Sequence, residues 1–387
     1  MKGLIGKTRQ YFEGMKDPRK QCPALRHDYV GILTMVAVAM MAGSEGPTAV
    51  VRFWQDMAGH RPRLMEGLLR ALGLKKLPSH DVIGRVMALT DPAALDQAVQ
   101  AGRRLKERRK TVPKRHRHIA IDGKACCGSA SRVNDVEAAM VVNAVDVDTR
   151  QVLATVATPG PGQAVPTARR LLLRQDVCFD GAIVSFDAAH CCRETLSLVR
   201  RRGGDWLVPV KGNVSTLRDE IMFSLDAAQV QAVTVHEKGH GRIDTRIVRG
   251  VTTPEICDWL GRNHGCDGLR TIGHIVYITA EKGKKPTREE CVFICSRPMS
   301  ARELLAEARK HWEVEVRHNR LDVVLGEDAS RVRIGWGWAN FAILRRLALD
   351  WLDTLRGKNE PLPAAISRLR CGFAVAAAME DAAMAAA

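Results

Sequence analysis

The sequence has no apolar run long enough to span a bilayer, no secretory signal and no repeated Cys-x-x-Cys pairing. Its longest apolar stretch, Tyr29 to Gly43, is apolar for only about 13 residues, short of the roughly 20 that a membrane helix needs. We therefore expect a core helix there and no membrane partner. The 11 cysteines are an odd number without metal-site spacing, which favours a reduced cytoplasmic protein over a disulfide framework or a zinc site.

Acidic residues are also in deficit. The 43 Asp and Glu are outnumbered by 59 Lys and Arg, which gives a formal net charge of +16. This is the electrostatic footprint of a polyanion binder, because each neutralised phosphate releases counterions. The length of 387 residues and the 46% hydrophobic content allow two or three ordinary globular domains.

Three carboxylates stand out against this basic background. Asp122 and Asp187 each end a short apolar run with β character, and Glu315 lies on a predicted helix at 300–320. Three carboxylates from such positions can hold two Mg²⁺ ions, or Mn²⁺ as a substitute, about 4 Å apart on a phosphodiester. The combination predicts an enzyme that cuts or joins DNA.

Each carboxylate also has a purely structural interpretation. Asp122 precedes Gly123 and suits a turn, and Asp187 suits a helix N-cap. Glu315 could form a salt bridge with Arg309 or Lys310. Metal binding is favoured by the two aspartates together, since both end apolar strands.

The predicted helix offers a second glutamate, Glu313. At 100° per residue from Leu304, Glu315 falls at about 20° and Glu313 at about 180°. Trp312 and Val316 fall on the same side as Glu315, so we expect that side to be buried. A carboxylate on a buried face needs a partner or a metal ion, and Glu315 is therefore the predicted ligand.

The periodicity along the chain changes from helical to strand-like at a basic linker, 103–118. Three antiparallel-type strands, then alternating helix and strand, predict an α/β fold: an RNase H-like catalytic core with a β-rich insertion, preceded by a helical N-terminal domain. The predicted units are a helical domain that binds DNA ends (1–110), a first core part with both aspartates (111–212), a β-rich insertion (213–298), C-terminal core helices with the glutamate (299–358) and a tail (359–387).

Two lysines follow strands and are candidates to approach a phosphate. Lys124 lies two residues after Asp122, and Lys211 begins Lys211-Gly212-Asn213. Ordinary surface lysines explain the same positions.

With these residues in view, the chain resembles the ISAs1-type, or H-repeat-associated, insertion-sequence transposases of the IS4-like DDE group. The resemblance covers nearly the whole length. Its most specific block is C-terminal. The motifs that carry the resemblance are Asp17-Pro18-Arg19, Pro78-Ser79-His80-Asp81, Ile119-Ala120-Ile121-Asp122-Gly123-Lys124, Gly203-Gly204-Asp205-Trp206, Lys211-Gly212-Asn213, His240-Gly241-Arg242-Ile243-Asp244, His311-Trp312, Leu321-Asp322-Val323-Val324, Gly326-Glu327-Asp328-Ala329-Ser330-Arg331 and Ala342-Ile343-Leu344-Arg345-Arg346-Leu347.

The resemblance implies that Asp122, Asp187 and Glu315 are the catalytic, metal-binding residues, with two Mg²⁺ ions as cofactors. It implies double-stranded DNA as the partner, both terminal inverted repeats and target, and a homodimer in the DNA complex. Within the shared motifs, the candidate DNA-contacting residues are Lys124, Lys211, Asn213, Arg242 and Arg331. The place of action would be the bacterial cytoplasm, on the nucleoid.

The sequence departs from the family pattern at several positions. The segment from Glu315 to Leu321 is one residue shorter than usual and lacks the following asparagine. Cys192 replaces a usual glutamine, Ala164 a frequent acidic residue, and Ala125-Cys126-Cys127 a common Thr-Leu-Arg. Loss of groups around metal ligands can lower activity about 10 to 100-fold. Two alternatives to a transposase therefore stay open: a nuclease of the same fold without strand transfer, and a catalytically impaired or domesticated DNA-binding remnant.

Overall fold

The structure is a computed structural model that describes residues 2–21, 25–59, 62–107, 117–130, 137–160, 162–239 and 241–372. The middle of the predicted basic linker (108–116), His240 and the alanine-rich tail from Phe373 onward lie outside the described residues. The first part of that predicted linker is helical, because a helix continues to Glu107.

The regular structure of the described residues up to Glu107 is helical. Asp28 caps the most apolar of them, Tyr29–Met41, by accepting a hydrogen bond from the Gly31 amide at 2.8 Å. All but one of its 13 residues are buried, so the long apolar stretch is a core helix. The helices of this region are α1 (Lys2–Arg9), α2 (Tyr29–Met41), α3 (Pro47–Ala58), α4 (Pro62–Leu72), α5 (His80–Leu89) and α6 (Pro92–Glu107).

These helices share their hydrophobic core with a helix from the other end of the chain, α13 (Gly337–Leu355). Phe341, Leu344 and Leu347 of α13 belong to the same buried cluster as α2 residues such as Leu33 and Val36. The N-terminal helices therefore do not close a core without α13.

A single mixed sheet of nine strands forms the centre of the molecule, in the order β3-β2-β1-β4-β5-β9-β8-β7-β6. The first three strands are antiparallel, and β4 and β5 continue parallel to β1. The strands are β1 (His118–Cys126), β2 (Ala139–Asp146), β3 (Gln151–Thr158), β4 (Ile183–Ser185), β5 (Asp205–Val210), β6 (Val233–Gly239), β7 (Arg242–Val251), β8 (Thr271–Glu281) and β9 (Thr287–Cys295).

The β-rich insertion extends this sheet. β9 pairs antiparallel with β5, for example Val208 opposite Ile294, and β8, β7 and β6 follow outward as a meander. The insertion also carries two helices that the strand pattern did not predict, α9 (Ser215–Ala227) and α10 (Pro254–His264).

Helices cover both faces of the sheet. One face packs against α7 (Ala164–Leu172), α8 (Arg193–Arg201), α9 and α10 in a cluster that includes Ile119 and Ile121. The opposite face packs against C-terminal helices, and there Ala120 meets Val314. Because side chains alternate along a strand, Asp122 faces the C-terminal helices with Ala120.

The predicted single helix at 300–320 is two helices. α11 (Ala301–Lys310) ends and α12 (Trp312–Val323) begins at His311. A further helix at 362–372 occupies part of the predicted tail. Its Leu362 and Ile366 pack against Leu349 and Leu352 of α13.

The ten cysteines in the described ranges are all free thiols. Within those same ranges, no helix has the length and apolar character needed to cross a membrane.

Candidate active site

Asp122 lies in the middle of β1, on the strand face that looks toward α12. Its carboxylate is largely buried and accepts a hydrogen bond from the Gly123 amide at 2.8 Å. Burial raises the pKa of Asp122 to about 7; the Gly123 bond opposes this, and the negative charges of Asp187 and Glu315 add to it. Asp187 and Glu315 are therefore both close enough for their charges to act on Asp122.

Asp187 follows β4, the parallel neighbour of β1, so the two aspartates come from adjacent strands. Its carboxylate caps a short 3₁₀ turn by accepting from the Ala189 amide at 3.2 Å, as the N-cap interpretation predicts. The same side chain is still 54% exposed, so capping does not occupy it fully. Asn213 braces this turn by donating to the Ala188 carbonyl at 3.0 Å.

Glu315 lies in the first turn of α12 and is exposed, which corrects the prediction that its side of the helix is buried. The break at His311 resets the helical phase, so the buried face of α12 is Val314, Arg317 and Leu321, while Trp312 is 54% exposed. Glu315 instead borders an open cavity. Glu313 points elsewhere, with Arg150 3.2 Å from its carboxylate.

A cavity of about 310 Å³ brings several of these groups together. Asp187, Lys211 and Glu315 line it, with Trp312 stacked on Tyr277 at its wall. Although the residue is exposed overall, partial burial of its carboxylate beside the cavity raises the pKa of Glu315, Lys211 opposes this, and Glu289 adds to it. Excess negative charge and oxygen donors are thus concentrated at the opening of this cavity.

The three carboxylates lie near one another, but they do not surround a common point. Throughout the described ranges, no three His, Cys, Asp or Glu side chains are close enough to hold a metal ion together. The donors nevertheless match a hard divalent cation in chemistry, because all three are carboxylates. Burial, with additions from Asp187 and Glu315, raises the pKa of Asp122, and a cation would offset that accumulated cost. Binding such an ion requires the side chains to move inward.

Of the five candidate DNA-contacting residues, Lys211 is exposed in the cavity. Asn213 is exposed beside it, although its side chain supports the Asp187 turn. Arg242 opens β7, next to the β6–β7 turn, where its guanidinium lies 3.1 Å from Asp244. Arg331 is exposed in the loop before α13.

Lys124 is not available to a phosphate, which corrects its prediction as a DNA contact. Only 8% of its side chain is exposed, and its ammonium pairs with Asp322 at 2.8 Å and Asp328 at 2.9 Å. Both partners come from the C-terminal motif block, so Lys124 fastens that block to β1.

A second, more deeply buried set of contacts between the C-terminal motif block and the sheet was not predicted from the sequence. Arg346 of α13 donates to Glu327 at 2.6 Å and to the Asn143 side chain of β2 at 2.6 Å, and all three residues are buried. The dense charge in Gly326-Glu327-Asp328 therefore serves packing. The five side chains Lys124, Asp322, Asp328, Glu327 and Arg346 are called the closed network below.

A second polar group was also missed, and here the sequence held a signal. His118 begins β1 and Ser185 ends β4, each next to apolar residues of its strand, and both are almost fully buried. They connect through hydrogen bonds to His311 at the cavity wall. His318 also approaches the site, with Nδ1 3.5 Å from the Asp122 carboxylate.

The residues that depart from the family pattern have ordinary structural surroundings. Cys192 accepts a hydrogen bond from Arg169 at 3.1 Å, Cys126 is buried, and Ala164 begins α7.

Comparison with known proteins places most of the chain in one family. Residues 96–351 match the family described as the transposase DDE domain, and residues 9–101 match the associated N-terminal family, DDE_Tnp_1-associated. The Escherichia coli (strain K12) protein YbfL is 26% identical over 343 residues, which cover 86% of this chain and 87% of that protein. The H repeat-associated candidate transposase YhhI of the same strain is also 26% identical, with the same coverage.

A solved piggyBac transposase synaptic complex with hairpin DNA overlaps 98% of this chain and 78% of its own at 10% identity. Its TM-score of 0.43 is too low to support an argument about fold or function.

Proposed function

The chain belongs to the transposase DDE domain family and is a DNA-cutting and DNA-joining enzyme, and from this premise we propose that it cleaves insertion-sequence ends and transfers them to target DNA. The observation that supports this proposal is the arrangement of Asp187 and Glu315 around one cavity, with Asp122 close behind on the neighbouring strand. We further propose that the five strands β3-β2-β1-β4-β5 are an RNase H-like core.

In this proposal Asp122, Asp187 and Glu315 hold divalent cations. Two Mg²⁺ ions bound there would activate the attacking oxygen and stabilise the leaving oxygen of a phosphodiester. Asp122 must lose its proton to serve as a ligand, and its raised pKa makes that step dependent on pH near 7. Lys211, exposed beside Glu315, would hold the phosphate against the carboxylates.

The helices α1–α6 and the net positive charge support DNA-end binding by the N-terminal region, since phosphates supply most of the affinity. An element has two ends, and each chain supplies one set of Asp122, Asp187 and Glu315. A homodimer on DNA therefore follows from the proposal, with action on chromosomal DNA in the bacterial cytoplasm.

The test is an excision and integration assay with the gene and its flanking chromosomal DNA on a donor plasmid. We expect Mg²⁺-dependent cleavage at both ends and joined products in a target plasmid. Asp122→Asn and Asp187→Asn should abolish both while keeping DNA binding, and Glu313→Gln, whose carboxylate faces Arg150, is the matched control. Cleavage without joined products would identify a nuclease instead.

One observation favours a second candidate, a DNA-binding remnant. His318 lies against Asp122, and the carboxylates of the described residues do not reach ligand distance. A remnant would bind DNA but show neither cleavage nor saturable Mn²⁺ binding.

A further inference from the structure

Four polar side chains form a hydrogen-bonded line beneath the cavity. Nδ1 of His118 lies 2.6 Å from Glu307, and Nε2 of His118 lies 2.7 Å from the Ser185 hydroxyl. That hydroxyl lies 2.8 Å from Nδ1 of His311. We call these four residues the histidine–serine chain.

The chain connects the three elements that carry the carboxylates. His118 precedes Asp122 on β1, Ser185 ends β4 just before Asp187, and His311 precedes Glu315 at the start of α12. His118 is 0% exposed and Ser185 1%, so water does not compete along the line. The His311 ring lines the cavity, which makes it the accessible end.

Hydrogen-bonding chemistry fixes the direction of the line. A Glu307 carboxylate can only accept, so Nδ1 of His118 carries the proton and its Nε2 is bare in the neutral ring. Ser185 therefore donates to His118, and its oxygen accepts from Nδ1–H of His311. The remaining nitrogen of a neutral His311, Nε2, is left without a proton.

The charges around the line support this arrangement. Burial alone would raise the pKa of Glu307, but its bonds to His118 and Lys310 outweigh burial and lower the pKa, so the carboxylate stays ionised. Burial, and then His118 and His190, lower the pKa of His311 to about 4. If His311 could not pass a captured proton to Ser185, it would therefore release that proton quickly.

We propose that the histidine–serine chain accepts the proton of the attacking oxygen and passes it from His311 to the Glu307–His118 pair, an inference that rests on the transposition chemistry proposed above. The O–H bond of the attacking water or 3′-OH breaks as Nε2–H forms on His311. Nδ1–H of His311 moves to Ser185, and the Ser185 proton moves to Nε2 of His118. The freed electron pair forms the new P–O bond, and the leaving oxygen keeps the electrons of the broken one.

After this transfer His311 is neutral with its proton on the other nitrogen, and Ser185 is unchanged. His118 is an imidazolium paired with ionised Glu307. The positive charge is stored away from the reacting phosphate, where the carboxylate stabilises it.

The first test needs no catalytic activity. In the full-length protein with ¹⁵N-labelled histidine, nitrogen chemical shifts should show neutral His311 protonated at Nδ1 and bare at Nε2 near pH 7. A His311 ring protonated at Nε2 would overturn the relay, whatever the protein does to DNA.

The second test separates proton transfer from positioning. Asparagine keeps a donor near the place of Nδ1 but offers no basic nitrogen, so His311→Asn should cut DNA about 100-fold more slowly or worse at unchanged thermal stability. His264→Asn is the matched control, because the His264 ring is likewise hydrogen-bonded to a side chain, here Glu220, but does not line the cavity. Added imidazole should partly restore cutting by His311→Gly.

If the wild type cuts DNA and His311→Asn cuts equally well, the relay is wrong and the proposed function stands. If the wild type does not cut DNA, the proposed function fails, and the nitrogen shifts alone decide whether the hydrogen bonds run in the inferred direction.

Discussion

Asp122 and Lys124 lie two residues apart on the same face of β1, yet their surroundings are opposite. Asp122 faces like charge from Asp187 and Glu315, two residues that line the open cavity in front of it. Lys124 is enclosed by carboxylates of opposite charge in the closed network. Motif membership does not distinguish the two, whereas their partners do. Charge of one sign gathered beside a cavity is available for chemistry, and charges of opposite sign paired with one another hold the fold together.

The largest expected difference between the two regions is catalytic. Glu315→Gln should reduce DNA cleavage by more than the roughly 100-fold that loss of an outer metal partner costs, because it removes a proposed ligand. Thermal stability should be unchanged, since Glu315 is exposed and makes no hydrogen bond to the described residues. Cleavage at the wild-type rate by this variant would remove Glu315 from the site.

Substitutions in the closed network should instead lower the stability of the fold. Glu327→Gln leaves the Arg346 guanidinium buried without its counter-charge, so we expect a loss of about 3–5 kcal/mol in the free energy of unfolding, measured with urea. The double variant Glu327→Leu, Arg346→Met should recover much of it, because no unpaired charge remains. A single variant as stable as wild type would show that the pair contributes nothing.

The burial of Asp122, together with the like charge of Asp187 and Glu315, predicts a pH dependence of stability in metal-free protein. The folded-state pKa of Asp122 is about 7, above its ordinary 3.8, so the folded chain holds a proton that the unfolded chain has lost between these values. Stability should therefore fall as pH rises from about 4 to 7. Melting temperatures in EDTA should show this slope, and Asp122→Asn should flatten it; equal slopes for both proteins would contradict the prediction.

The smallest expected effect concerns the two lysines. Lys211→Ala should lower the slope of log affinity against log salt by about 0.9, the value for one phosphate contact, without changing stability. Lys124→Met should leave that slope unchanged and lower the melting temperature, since it unpairs Asp322 and Asp328. Titrations of one DNA duplex at several salt concentrations measure both, and a changed slope for Lys124→Met would reopen its role in DNA binding.

The strands with both aspartates were predictable to within a few residues, since short apolar runs ending in a polar residue mark buried strands. The pairing of β5 with β9 was not, because it joins residues such as Val208 and Ile294 that are far apart in sequence. The partner of Lys124, Asp328, lies 204 residues away for the same reason.

The choice of Glu315 over Glu313 shows a different limit of prediction from sequence. The helical wheel selected the residue that borders the cavity, but by assuming one continuous helix at 300–320. No proline or glycine marks the break at His311, so periodicity alone could not reveal that Trp312 and Val316 would be exposed.

The shared core of α13 has a consequence for synthesis on the ribosome. About 230 residues separate the end of α6 from the start of α13, which at 5–20 residues per second takes roughly 10 to 50 s to translate. During that time Phe341 and Leu344 do not exist to cover α2. The nascent N-terminal helices therefore keep part of their apolar surface exposed to chaperones. The shared core forms only after α13, which begins at Gly337 of the 387 residues, has emerged.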